Sequence, residues 1–131
     1  MKWRVGTSGY SYRAWKGTFY PEKMKSAEFL GFYSTRFDTV EVNNTFYRMP
    51  TTAVIGGWAA QVPEHFRFVL KAPKRITHDR RLGDIAESLI FFLNSALTLG
   101  DRLGPLLFQL PPNFKKDTGK LADFLAQVPA S

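Results

Sequence analysis

Four short apolar runs alternate along the chain with four stretches in which apolar residues recur every three or four positions, the pattern of parallel strands joined by helical crossovers. The runs predict strands near Trp3 to Thr7, Thr39 to Asn43, Phe66 to Lys71 and Leu106 to Leu110. Between them, Ala27, Leu30, Tyr33 and Phe37 share one face of a first helix, and Ile55, Trp58, Ala59 and Val62 share one face of a second. Gly56 and Gly57 weaken that second helix by about 1 kcal/mol each relative to alanine. The third is the plainest: Ile85, Leu89, Phe92, Leu93, Ala96 and Leu97 form a stripe behind Asp84, a residue suited to the N-cap, and Gly100 suits the stop. The fourth carries Leu121, Phe124, Leu125 and Val128, begins after Asp117 and Thr118, and ends before Pro129. Residues 1–131 therefore read as a single α/β domain in the order βαβαβαβα, without repeat, linker or low-complexity tract.

Side chains alternate between the two faces of a strand, so parity sorts each run. Val40 and Val42 belong against helices, which turns Thr39, Glu41 and Asn43 to the other face. On the third strand Phe68 and Leu70 take the helix side and Arg67, Val69 and Lys71 the opposite one; on the fourth, Gln109 joins Leu107 opposite Phe108. Glu41, Lys71 and Gln109 then fall near the C-terminal ends of three successive strands, where barrels and open α/β sheets place their ligands. The same placement is equally that of a buried Glu41–Lys71 ion pair satisfied by Gln109 and doing no chemistry.

Composition narrows the class. With 44% hydrophobic and 15% aromatic residues the chain has the material for a packed core, and with no cysteine it offers neither disulfides nor thiolate metal sites. A reducing, cytoplasmic setting fits; the longest apolar run, Leu89 to Leu93, is far too short to span a bilayer, so no membrane is expected as a partner. Eighteen basic against eleven acidic side chains give a net charge of +7, a bias toward anions. P-loop, dinucleotide-binding, zinc-protease and nucleophile-elbow patterns are absent. His65 and His78, with Glu41 and Asp79, show no ligand spacing, so neither metal nor cofactor is expected. Lys71, Lys74, Arg75, Arg80 and Arg81, with His78, make a basic segment after the third strand that could hold a phosphate, or simply be a solvated loop before the third helix. Tyr10, Tyr12, Trp15, Phe19 and Tyr20 after the first strand, and Phe46 and Tyr47 after the second, could stack a ring or form a lid packed on itself.

Four blocks carry a resemblance: GTSGYSYRAWKGTFYP from Gly6 to Pro21, VEVNNTFYRMP from Val40 to Pro50, FRFVLKAPKRITH from Phe66 to His78, and LGPLLFQLPPNF from Leu103 to Phe114. In this order they resemble the YecE-like family, also called domain of unknown function 72. Tyr10, Asn44 and Met49 depart from it, standing where tryptophan, serine and leucine are commoner. The resemblance implies a TIM-like (β/α)8 barrel of roughly 250 residues, of which this chain would be the first four strand-helix units: a half barrel with a parallel sheet and open edges. Strands five to eight, with a Glu- and Arg-containing block, would lie beyond Ser131. Two readings follow, a fragment of a longer protein or a half barrel that closes by homodimerising through its edges. Matched to the family's recurrent mouth-side positions are Ser8, Tyr12, Trp15, Glu41, Asn43, Tyr47, Lys71, His78 and Gln109; the family implies a pocket but no reaction.

Three functions stand side by side. The first is an enzyme-like mouth pocket for a small anionic or phosphorylated ligand, with Glu41 as general acid or base, Lys71 tuning its charge, His78 as a proton carrier, and Ser8, Tyr12, Trp15, Asn43, Tyr47, Lys74, Arg75 and Gln109 as ligand contacts. The second is a nucleic-acid-binding or phosphodiester-acting module built from the basic segment and aromatic platforms. The third is an assembly element whose inner face receives another half barrel.

Overall fold

The computed structural model describes residues 1–130. Its centre is a four-stranded parallel sheet in the order β1-β2-β3-β4, formed by β1 (Gly6–Ser8), β2 (Thr39–Val42), β3 (Arg67–Lys71) and β4 (Leu103–Leu107). Crossovers contain α1 (Phe29–Tyr33), the short α2 (Asn44–Tyr47), α3 (Thr52–Ala60) and α4 (Ala86–Ala96), and α5 (Thr118–Gln127) follows β4. Parallel neighbours need such crossovers, because a tight turn can join only antiparallel strands.

Period-two alternation is what fixes the sheet's orientation. Val40 lies opposite Phe68 and Val42 opposite Leu70, and all four are buried. They share one core with Phe29, Leu30 and Tyr33 of α1, Ile55 and Trp58 of α3, Leu89, Phe92 and Ala96 of α4, and Phe124 of α5. Thr39, Glu41, Arg67, Val69 and Lys71 occupy the opposite, half-buried face. A slip by one residue would exchange these two sets, so burial of the apolar set enforces the register.

Where the observed elements differ from the expected ones, local geometry gives the reason. β1 starts at Gly6 rather than Trp3, because Arg4 is drawn off to the Asp38 carboxylate (3.3 Å) and the His65 carbonyl (2.8 Å) before pairing begins. Trp3 and Val5 are left 81% and 69% exposed. Tyr33 ties β1 down: its hydroxyl accepts from the Thr7 N–H and donates to the Thr39 carbonyl, both at 2.8 Å. The first helix is shorter than its stripe; Ala27 sits in an exposed 3-10 turn, Ser26–Glu28, and Phe37 in a turn after α1.

β4 spans Leu103–Leu107, not Leu106 to Leu110. Gly104 allows the Phe68 carbonyl to approach to where a Cβ would sit 2.9 Å away, and Pro105, which has no N–H to give, is tolerated because β4 is an edge. Asp84 does not cap α4. It is exposed with φ +49, its carboxylate 3.9 Å from Arg80, and the cap position belongs to Ile85. The helix then gives way to a 3-10 turn, Leu97–Arg102, before Gly100 is reached, leaving Leu97 exposed. In α5 the Asp117 carboxylate accepts the Lys120 N–H at 2.9 Å, as its position before the helix predicts. α3 runs unbroken through Gly56 and Gly57, capped by the Thr51 hydroxyl.

Candidate functional site

Three consecutive strands deliver polar groups to the C-terminal end of the uncovered face. Ser8 ends β1 opposite Glu41, and Lys71 ends β3 two residues beyond Val69, Glu41's partner on that strand. The Ser8 hydroxyl donates to Glu41 Oε1 at 3.3 Å and accepts from Asn43 Nδ2. Tyr12 closes over Gly9, where any side chain would collide with its hydroxyl and ring, and that hydroxyl donates to the Ser8 carbonyl. Ser8, Tyr12, Glu41 and Asn43 thus form one hydrogen-bonded group at the rim. Beside it lies a cleft of about 100 Å³ lined by residues including Gly9, Tyr10, Tyr12, Asn43 and Asn44. That is below the roughly 300–1,000 Å³ of a small-molecule pocket, enough for a single functional group.

Lys71 belongs to a second group. Its ammonium sits 4.7 Å from the centroid of Phe46, and the His78 ring meets the same phenyl edge-on at 4.9 Å. The aromatic face attracts the cation, holding Lys71 at the mouth without a carboxylate. No Glu41–Lys71 ion pair forms within 4.0 Å among the described residues, and neither side chain is fully buried, so of the two alternatives the buried pair is the one not seen, and each side chain has a separate partner. His78 Nδ1 is 2.8 Å from the Thr77 hydroxyl, at the end of a π-helical turn, Arg75–Asp79. Tyr47, 75% exposed, stands edge-on to Phe46 at 5.0 Å.

The remaining expected residues disperse. Gln109 lies two positions past the end of β4, exposed, with no hydrogen bond to Glu41 or Lys71 among the described residues. Arg75 donates through Nε to Ser88 Oγ at 3.1 Å, which turns it toward α4, and Lys74 is exposed. The basic segment is not a plain loop, because Arg75–Asp79 forms a π-helical turn in which Ile76 and Thr77 are buried. Trp15 packs with Tyr12, Phe19 and Tyr20 at centroid distances of 4.7 to 5.9 Å, and Tyr20 in turn stacks on Phe29 at 4.1 Å. This loop is therefore packed on the core rather than held open. Burial holds the Tyr10 and Tyr20 hydroxyls above the ordinary tyrosine range, Tyr33 and Tyr10 adding to the effect on Tyr20, so both stay protonated near neutral pH.

Two residues outside the expected set organise the site. Phe46 joins Lys71 to His78, and Thr45, fully buried, donates its hydroxyl to the Lys71 carbonyl at 2.6 Å with the Val42 carbonyl 3.1 Å away. Thr45 thereby clamps the ends of β2 and β3. A threonine directly after Asn43 and Asn44 at the end of an apolar run was the available signal for it. Among the described residues no three His, Cys, Asp or Glu side chains gather as a metal would require. No helix of the described residues is long and apolar enough to cross a membrane.

The fold and its rim group define an α/β protein with a parallel sheet and a polar cluster at the strand C-termini. Residues 4–131 match the model of the family described as "Protein of unknown function DUF72", and the chain belongs to that family. It is 33% identical over 98 residues to the UPF0759 protein YecE of Escherichia coli strain K12, and 32% identical over 104 residues to the UPF0759 protein YunF of Bacillus subtilis strain 168. Each match covers 74% of this chain and 36% of the relative, so the chain spans about a third of the curated relatives' length. A crystal structure of a DUF72 family protein from Thermotoga maritima superposes with a TM-score of 0.77 at 33% identity, covering 95% of this chain and 50% of that one.

Proposed function

We propose that the chain supplies the first half of a TIM-like barrel whose mouth binds a small anionic ligand, with Glu41 as general acid or base and Lys71 and His78 facing the anion. The observation that carries this reading is the joining of Ser8, Glu41 and Asn43 by hydrogen bonds, with Lys71 on the same face one strand along. A carboxylate held by a hydroxyl and a cation held by a phenyl ring are both oriented yet not neutralised by each other. Each keeps bonding capacity for a ligand. NMR titration with inorganic phosphate and ribose 5-phosphate at millimolar concentration tests it. Amide shifts are expected at Gly9, Asn43, Lys71 and His78, and Lys71→Met should abolish them; shifts absent from these four amides, or surviving that substitution, overturn the reading.

The half-barrel part has separate support. Both sheet edges are unpaired, and each leaves apolar side chains uncovered: Trp3 and Val5 ahead of β1, Leu121 and Leu125 on α5 beyond β4. Strands paired across those edges, with their helices, would cover both sets. In two copies related by a twofold axis, β4 of each would meet β1 of the other and complete an eight-stranded ring. The 131-residue chain by itself is expected to run at twice its monomer mass on sizing with light scattering. A well-folded monomer at all concentrations excludes this pairing.

A further inference from the structure

The basic side chains after β3 and β4 do not all scatter. Arg81, from the loop between β3 and α4, extends to Asn113 in the loop after β4, donating through Nη2 to its Oδ1 at 3.2 Å. Between these loops runs an open groove of about 310 Å³, lined by Arg81, Asn113, Lys115, Lys116, Asp117 and Lys120, with the half-buried Phe114 alongside. Lys120 reaches it from the first turn of α5: a Cβ built on Gly83 would lie 3.8 Å from both its Cε and its Nζ, so the ammonium rests against the opposite loop.

Four cations therefore line one concave surface, and among the described residues none of them is in an ion pair. The only carboxylate present, that of Asp117, is already accepting the Lys120 backbone N–H. Like charges gathered this way repel one another, and Asp117, the one acid among the lining residues, offsets a single charge of the four. The Arg81 position is also held at a conformational cost. Arg81, Leu82 and Asp84 all have positive φ, a conformation disfavoured for non-glycine residues, and burial of Leu82 anchors the turn against it. Asn113, with its oxygen engaged by Arg81, keeps its amide N–H groups for an acceptor.

We infer that this groove binds a run of adjacent phosphates, as in a free polyphosphate or a single-stranded nucleic-acid backbone. An open trough with Arg81 on one wall and Lys115, Lys116 and Lys120 on the other suits a chain of charges better than one enclosed anion, and the guanidinium of Arg81 offers a planar fork to a phosphate crossing between the loops. None of these residues takes part in the Ser8–Glu41–Asn43 group or touches Lys71, so the inference goes beyond the mouth pocket and stands apart from it.

The test is fluorescence anisotropy of the full chain with labelled oligothymidylate, together with competition by tripolyphosphate. With about three phosphates engaged, the logarithm of affinity is expected to fall with the logarithm of salt at a slope near −2, about 0.7 per contact. Lys115→Gln with Lys116→Gln should lower affinity about tenfold at low salt and flatten the slope by about 1.4. Lys23→Gln with Lys25→Gln removes the same charge from an exposed loop far along the chain and should change neither. Displacement by tripolyphosphate identifies the free polyphosphate as the source; resistance to it, with the oligonucleotide still bound, identifies the nucleic-acid backbone. Equal losses from the two double substitutions, or no binding of either probe at low salt, overturn the inference. Lys71→Met should leave this binding intact, which separates its failure from that of the mouth site.

Discussion

Phe68→Ala is expected to lower the unfolding free energy by about 3–5 kcal/mol, read as a fall in the urea midpoint. Phe68 lies on the central strand β3, fully buried, with Phe66 5.0 Å and Trp58 6.2 Å away by ring centroids, and paired across the sheet with Val40 on one side and Leu103 on the other. Truncation removes the contact between the sheet and α3 at a point where two neighbouring strands hold the backbone in place, so the void cannot close. Against a typical domain stability of about 5–15 kcal/mol, this removes from about a fifth to all of it. Ile90→Ala, on the outward face of α4, removes a side chain already more than half exposed and should leave the midpoint nearly unchanged. Equal effects from the two would mean that the two positions do not differ in burial as described.

Phe68 was also among the residues whose place the chain's pattern specified. β2 and β3 alternate strictly, and strict alternation has one solution once the apolar set must be buried; that is why Glu41, Asn43 and Lys71 could be assigned to one end of one face, whereas Ser8, beyond the expected first strand, came only from the family resemblance. The Asp117 cap was legible for a similar reason, because a short acceptor just ahead of an apolar helical stripe has few other uses. Asp84 shows the limit of that rule. The same residue type in the same position is carried out of reach by the left-handed turn at Arg81 and Leu82, which burial of Leu82 imposes from a distance.

Gln109 failed on register rather than on face. Between Phe68 and Leu70 the pairing with β4 is irregular: those positions meet Leu103 and Leu106, three residues of β4 against two of β3. Leu107 then meets Lys71 and the ladder ends, leaving Gln109 beyond it. Parity counts residues within a strand; it carries no information on where a bulge lets one strand advance past its neighbour. Lys71 illustrates a different gap. An acid and a base at neighbouring strand ends suggest an ion pair, but Phe46, placed by a four-residue helix that no periodicity announces, claims the ammonium instead.

Gly6→Ala is expected to cost about 1–3 kcal/mol and to dismantle the rim group, although position 6 contributes no side chain to it. A Cβ at Gly6 would lie 2.0 Å from the Thr39 carbonyl oxygen and 2.8 Å from its carbon. Both are backbone atoms of β2, so no rotamer change relieves the clash, and β1 must move. That strand is only three residues long and lies at the edge, held by Tyr33 and by the Gly9 N–H bond to the Glu41 carbonyl at 2.8 Å. It should therefore shift while β2 to β4 and their helices persist. Ser8 then leaves Glu41 and Asn43, and the phosphate-induced amide shifts vanish with it. Gly57→Ala makes the opposite prediction: nothing lies within 4 Å of a Cβ there, in mid-helix α3, so alanine should stabilise by about 0.5–1 kcal/mol. Hydrogen exchange at Thr7 and Gly9, read beside the two urea midpoints, decides the matter. Protection unchanged in Gly6→Ala would mean that β1 does not depend on the close approach of its first residue to Thr39, and that Ser8 is held at the mouth by something other than the strand.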